Sequence, residues 1–144
     1  MLKIKSRCKK VKAAAKFYAG ALNIDNVKIT IGTIKDDGLI TAFVIQPNDD
    51  EFELGLCVET LTNAVDLFEA LAHEMVHIRQ YNHGDLEDMG ANKVRWKSRI
   101  YNDAQPHEKG YRKLPWEKEA YKKQEGLAKA LFADKKFLKS LIGD

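Results

Sequence analysis

Sulfur is scarce in this chain of 144 residues, whose two cysteines, Cys8 and Cys57, lie far apart. A disulfide framework or a cysteine-based zinc site needs more sulfur at closer spacing, so two free thiols in a reducing compartment are expected. Long apolar runs are missing too, and none approaches the length of a membrane span. The start, Met1-Leu2-Lys3-Ile4-Lys5, lacks the apolar stretch of a signal peptide. A cytoplasmic protein with no membrane partner is therefore expected. There is no internal repeat, low-complexity tract or Pro/Gly/Ser-rich linker, which leaves one domain over residues 1–144 as the simplest organisation.

Charge is missing by sign as well. Residues 1–24 hold seven Lys/Arg and no acid, whereas residues 36–88 hold thirteen Asp/Glu against Arg79 alone, and 93–123 turn basic again. An acidic middle between basic flanks could favour cation binding or steer a basic partner, although any one cluster is as readily a solvated helix face.

What is present is an ordinary globular balance, 44% apolar and 31% charged. Cys8, Val11, Ala14, Ala15, Tyr18 and Leu22 recur at helical spacing over 6–23, with Lys5, Lys9, Lys12 and Lys16 opposite. Alternation predicts strands at 27–31, 41–45 and 53–59, the first two separated by the turn signal Asp36-Asp37-Gly38. A long helix is predicted over 63–82, with Thr62 or Asn63 as its N-cap and Gly84 as its stop. Residues 93–101 read as a strand or part of a hairpin. Pro115 opens another helix reaching about 132, and a short one follows near 135–141. The expected class is α+β, a small and mostly antiparallel sheet packed against these helices.

The sharpest signal is His73-Glu74-Met75-Val76-His77, an HExxH pattern. Histidines four apart on a helix share a face one turn apart and can occupy two corners of a zinc tetrahedron. Glu74 points aside, where it can take a proton from a water that the metal polarises. On a helical wheel Ala64, Phe68, Leu71, Met75 and Ile78 form one arc, opposite His73, His77, Asp66, Glu69 and Gln80.

Catalytic zinc usually has a third protein ligand, for which three residues compete. His83 stands six after His77, but a metzincin pattern needs glycine where this chain has Gln80. Glu119 falls among Lys118, Lys122, Lys123 and Lys129, on the outward side of its helix. Glu117 shares the inward side with Ala120, Tyr121, Gln124, Leu127, Ala128 and Leu131. A carboxylate buried there needs a cationic partner, so Glu117 is the preferred third ligand.

HExxH on one helix with a glutamate on a later one resembles the gluzincin group of metallopeptidases. The segments HEMVHIRQY and PWEKEAY are similar to those of small SprT-like and phage-encoded metallopeptidases, over about 27–132. SprT-like proteins proper use a third histidine, so that likeness is to the fold. Glu117-Lys118-Glu119-Ala120-Tyr121 resembles the E-x-x-A-D/N helix of several gluzincins, with Tyr121 where they carry Asp or Asn. The resemblance implies amide hydrolysis with one zinc held by His73, His77 and Glu117, in the host cytoplasm if the protein is phage-encoded. Glu74 would be the general base and acid, and Tyr111 or Tyr121 would donate to the oxyanion, Tyr121 being the assigned residue. The substrate would be a protein or peptide, paired with strand 53–59 as an edge strand.

Two other classes fit the same residues. A nucleic-acid-binding protein would use the basic flanks together with Arg95, Trp96, Arg99 and Tyr101. A non-catalytic, zinc-stabilised module would unfold on metal removal and be indifferent to Glu74.

Overall fold

Period-two burial builds the first sheet. A computed structural model describes residues 1–34, 42–57, 61, 63–102 and 113–142. Strand β1 (Lys3–Ser6) leads into helix α1 (Lys9–Leu22), then strands β2 (Lys28–Ile34), β3 (Ala42–Asn48) and β4 (Glu51–Cys57). Ile29 and Ile31 of β2 and Phe52, Leu54 and Leu56 of β4 are buried, while Thr30, Glu51 and Glu53 face out. The sheet order is β1-β2-β4-β3, parallel except for the antiparallel β3–β4 pair. Phe43 of β3 stands opposite Gly55, and a Cβ at position 55 would meet the Phe43 ring at 2.5 Å. The glycine lets the ring lie across the strand, covering the gap in the side-chain row.

The expected α+β class holds, with helices packed on a small sheet, and two features of that sheet differ from the sequence reading. The first sheet is mixed, because β1, unforeseen in the opening residues, joins β2 in parallel through α1 as crossover. The strand expected over 53–59 as the edge that pairs with substrate is not an edge. Strand β4 is hydrogen-bonded to β2 on one side and β3 on the other, and the edge beside it is β3. The turn expected at 36–38 lies outside the described residues, as does the end of the strand expected to reach 59.

Helix α2 (Ala64–Asn82) starts where predicted, with the Asn63 side chain accepting from the Asp66 amide at 2.9 Å and donating to its carboxylate at 2.8 Å. That reciprocal cap satisfies an otherwise orphaned N–H and places an acid in the first turn. One side of α2 packs on α1 and the sheet through Phe68, Leu71, Ala72, Met75 and Ile78. The Tyr18 hydroxyl of α1 donates to the Phe68 carbonyl at 2.9 Å, and burial pushes its pKa up. Helix α3 (Pro115–Ala133) packs along another side of α2, and α4 (Lys135–Ile142) closes the layer against α1 and α3. Among the described residues no helix is long and apolar enough to cross a membrane.

Between α2 and α3 lies an antiparallel meander, β5 (Leu86–Gly90), β6 (Lys93–Trp96) and β7 (Arg99–Tyr101). It has its own small core, in which Leu86 and Trp96 pack with Trp116 at the start of α3. Its two-residue turns hold Ala91 and Asn92 at φ 50° and 63°, and Lys97 and Ser98 at φ 45° and 76°. Positive φ at both central residues is the type I′ hairpin geometry, which asparagine and glycine adopt at least cost. Replacing Lys97-Ser98 by Asn-Gly is expected to stabilise the protein by about 1 kcal/mol, roughly 3 °C in Tm. A thermal melt that drops instead would show that Lys97, which sits over the Trp96 ring at 5.0 Å, matters more than the turn.

Candidate metal centre

The polar arc of α2 read from the sequence is mostly not solvated. Asp66 is exposed and Glu69 half-buried, but α3 covers His73, His77 and Gln80, which are 8%, 8% and 0% exposed. Four-residue spacing stacks the two imidazoles, with ring centroids 4.8 Å apart and planes at 82°. Opposite them α3 presents Glu117, 3% exposed, from its first turn. Pro115 opens that turn, and Trp116, anchored in the meander's core, fixes where it starts.

Three donor atoms converge. His73 Nε2 is 3.0 Å and His77 Nε2 3.2 Å from Glu117 Oε1, and the two Nε2 atoms are 3.2 Å apart. His77 Nε2 is also 3.1 Å from Glu117 Oε2. The outer nitrogens are held by glutamines. His73 Nδ1 lies 2.7 Å from Gln124 Oε1, and His77 Nδ1 2.8 Å from Gln80 Oε1. The Gln80 amide orientation is fixed, because its Nε2 donates to the Trp116 carbonyl at 3.0 Å and to Glu119 at 3.1 Å. Its oxygen therefore faces His77, and His77 Nδ1 must be the donor.

With Nδ1 protonated, a neutral imidazole points its Nε2 lone pair inward. Two such lone pairs and a carboxylate within 3.2 Å of one another repel, in a place shielded from water. A cation among them reverses the sign. Zn–N and Zn–O bonds of about 2.0–2.2 Å at tetrahedral angles put ligand atoms about 3.3–3.6 Å apart, a few tenths of an ångström wider than the spacing here. His73, His77 and Glu117 thus form a buried group that can hold a metal ion.

A proton serves as a substitute. Burial disfavours the charged form of His77, but the hydrogen bond to Glu117 and the charges of Glu74 and Glu117 outweigh it and raise its pKa to about 9. The charged imidazole stabilises the metal-free fold fully below about pH 6.5, and the stabilisation fades as pH rises through about 9. Glu74, half-buried beside His73, has its pKa raised by burial, an effect partly offset by the two histidines and reinforced by Glu117.

The remaining candidates lie elsewhere. His83 caps the C-terminus of α2, and its Nε2 donates to the Asn23 carbonyl at 2.9 Å, away from the cluster. Glu119 accepts from Gln80 and stands 3.9 Å from Lys123 and 4.0 Å from Arg79, behind the ligands. The Tyr121 ring packs edge-on against His73 at 4.5 Å between centroids. Tyr111 lies outside the described residues.

Gln80 and Gln124 are the residues that sequence reasoning missed as supports. Gln80 was legible as the residue in place of a metzincin glycine, and Gln124 as a polar residue on an inward face. A metal-ligating imidazole is oriented by the partner of its other nitrogen, and loss of such a partner typically costs 10–100-fold in affinity. Gln80→Leu is accordingly expected to weaken zinc binding by about that factor in a chelator competition. Unchanged affinity would mean that the ring is held by packing alone.

The chain matches no protein-family model, no curated protein and no solved structure.

Proposed function

We propose that the chain is a zinc-dependent metallopeptidase, holding one zinc through His73 Nε2, His77 Nε2 and the Glu117 carboxylate. The carrying observation is the convergence of three buried donor atoms at 3.0–3.2 Å with the outer nitrogens already engaged. Two nitrogens and one oxygen suit zinc better than calcium or magnesium, which take oxygen ligands, and three protein ligands leave a fourth position open. Bound zinc would supply Lewis acidity toward a water and a scissile carbonyl.

The chain's own residues carry the rest. Glu74 adjoins the ligand His73 and is close enough for its charge to raise the His77 pKa, a position suited to taking a proton from the attacking water. The same carboxyl then returns that proton to the leaving amine. The Tyr121 phenol, whose ring borders His73, is the candidate donor to the oxyanion. An extended substrate would add to the sheet at β3, the edge next to β4 and in contact with α2. A reducing cytoplasm would suit a chain with only two cysteines, Cys8 and Cys57, far apart in sequence.

The test is mass-spectrometric detection of new amino termini after the zinc-loaded protein meets an unfolded protein substrate. Cleavage that stops with chelator and resumes with zinc supports the reading. Zinc that raises Tm without any cleavage would favour the non-catalytic module instead.

A further inference from the structure

A second surface, independent of the metal centre, is defined by cations without partners. Arg7 before α1 and Lys9, Lys10 and Lys16 of α1 are exposed, with Lys12 half-buried beside them; Lys3 and Lys5 of β1 are exposed as well, on the side of the strand away from buried Ile4 and the helices. Among the described residues none of these seven joins an ion pair, and the first turn of α1 carries no acid. Helix α4 packs against α1 and adds Lys135, Lys136 and Lys139, all exposed and equally unpaired. The acids nearest in sequence are Asp25, which lies 3.7 Å from the amino terminus, and Asp134, half-buried at the start of α4.

Such crowding costs stability in the isolated protein. Like charges repel along the face, and lysines in the first turn of α1 oppose the positive end of its dipole. The other basic segment differs. In the meander Arg95 pairs with Glu87, Lys97 sits over Trp96, and Arg99 lies over the Tyr101 ring at 5.2 Å. Trp96 is itself buried against Trp116, 6.2 Å between centroids, and Tyr101 packs on Trp116 at 5.2 Å. The arrangement of aromatics and cations foreseen as a stacking platform at 95–101 is therefore used internally. Trp96 is buried, and the Tyr101 ring already has Arg99 and Trp116 against it.

We infer that the α1–α4 face binds a nucleic-acid phosphate backbone, without reading sequence. The exposed arc of α1 places lysines between Ala13, Gly20 and Ala21, and α4 adds a single exposed large apolar side chain among its described residues, Leu138 at 38%. That is too little apolar area to enter a lipid bilayer, which favours a polyanion. With no aromatic platform on the face, contacts go to phosphates rather than bases.

The test is fluorescence anisotropy of the full chain with a short labelled DNA duplex across a salt series, beside flotation with vesicles of equal parts phosphatidylserine and phosphatidylcholine. About five phosphate contacts give a slope of log K against log salt near −4.5, roughly a five-hundredfold loss between about 50 and 200 mM. The Lys9→Ala, Lys10→Ala, Lys16→Ala triple variant should lower that slope by about 2.7 and weaken low-salt binding at least about thirtyfold. Alanine favours helix, so α1 should persist, which circular dichroism checks. The Lys93→Ala, Lys97→Ala control should bind as wild type. Absence of binding at low salt, a triple variant that binds like wild type, or tighter binding to the vesicles than to the duplex would each overturn the inference.

Discussion

Glu117→Ala is expected to lose most of its zinc affinity while keeping the fold. A zinc site contributes roughly 10–16 kcal/mol of apparent binding free energy when fully built, so one ligand of three or four is worth about 3–4 kcal/mol. That corresponds to a loss of roughly 10²–10³-fold, readable by competition against a chromophoric chelator. The position is specific. Glu117 is the carboxylate that contacts both Nε2 atoms, whereas Glu119 two residues on is spent on Gln80, Lys123 and Arg79. Glu119→Ala should therefore cost far less zinc than Glu117→Ala, about the 10–100-fold of a supporting residue at most. If the two variants behaved alike, the ligand assignment would be wrong. Glu117→Gln keeps the shape of the buried side chain and separates loss of charge from loss of packing.

Glu74→Gln is expected to leave zinc in place and to remove hydrolysis. A positioned general base contributes about 10²–10⁴-fold, and the amide can neither take the water's proton nor return it. The measurement is the rate of peptide cleavage at equal zinc content, with both proteins reconstituted to one zinc per chain. Loss of rate with full occupancy distinguishes a base from a ligand. A variant that cleaves as fast as wild type would leave a metal-binding module and no role for Glu74. Because Glu74 is half-buried with a pKa raised by burial, the neutral amide should not destabilise the helix. Any drop in Tm beyond about 1 kcal/mol equivalent would suggest that the carboxylate has a structural partner.

Much of this site could be read in the sequence because local rules govern it. HEMVH sets two histidines on one helical face, Asn63 announces the start of α2, and Pro115 announces the start of α3. Glu117 stood out because a carboxylate on the inward side of its helix needs a partner. Gln80 was less legible, since on the wheel it fell in a polar arc with Asp66 and Glu69, opposite the core face. Its burial depends on α3 arriving from 36 residues later in the chain, as the Gln80–Trp116 hydrogen bond records. The place of β4 in the interior of the sheet was hidden for a similar reason. Strand order follows from the β1–α1–β2 crossover and not from any single strand's alternation. Strand β1 was missed although Lys3, Ile4 and Lys5 do alternate in burial, because four charged-rich residues make a weak pattern. The meander turns at Ala91-Asn92 and Lys97-Ser98 lack the glycine that marks such hairpins, so only part of it was foreseen.

The most direct test of the metal centre is zinc K-edge X-ray absorption on the wild-type chain, first stripped of metal and then loaded with one equivalent. The expected spectrum shows imidazole scattering from two histidines with Zn–N near 2.0–2.1 Å and a carboxylate oxygen near 2.0–2.2 Å, with no sulfur. Failure to take up zinc, or a shell containing sulfur at about 2.3 Å, would contradict the assignment of His73, His77 and Glu117.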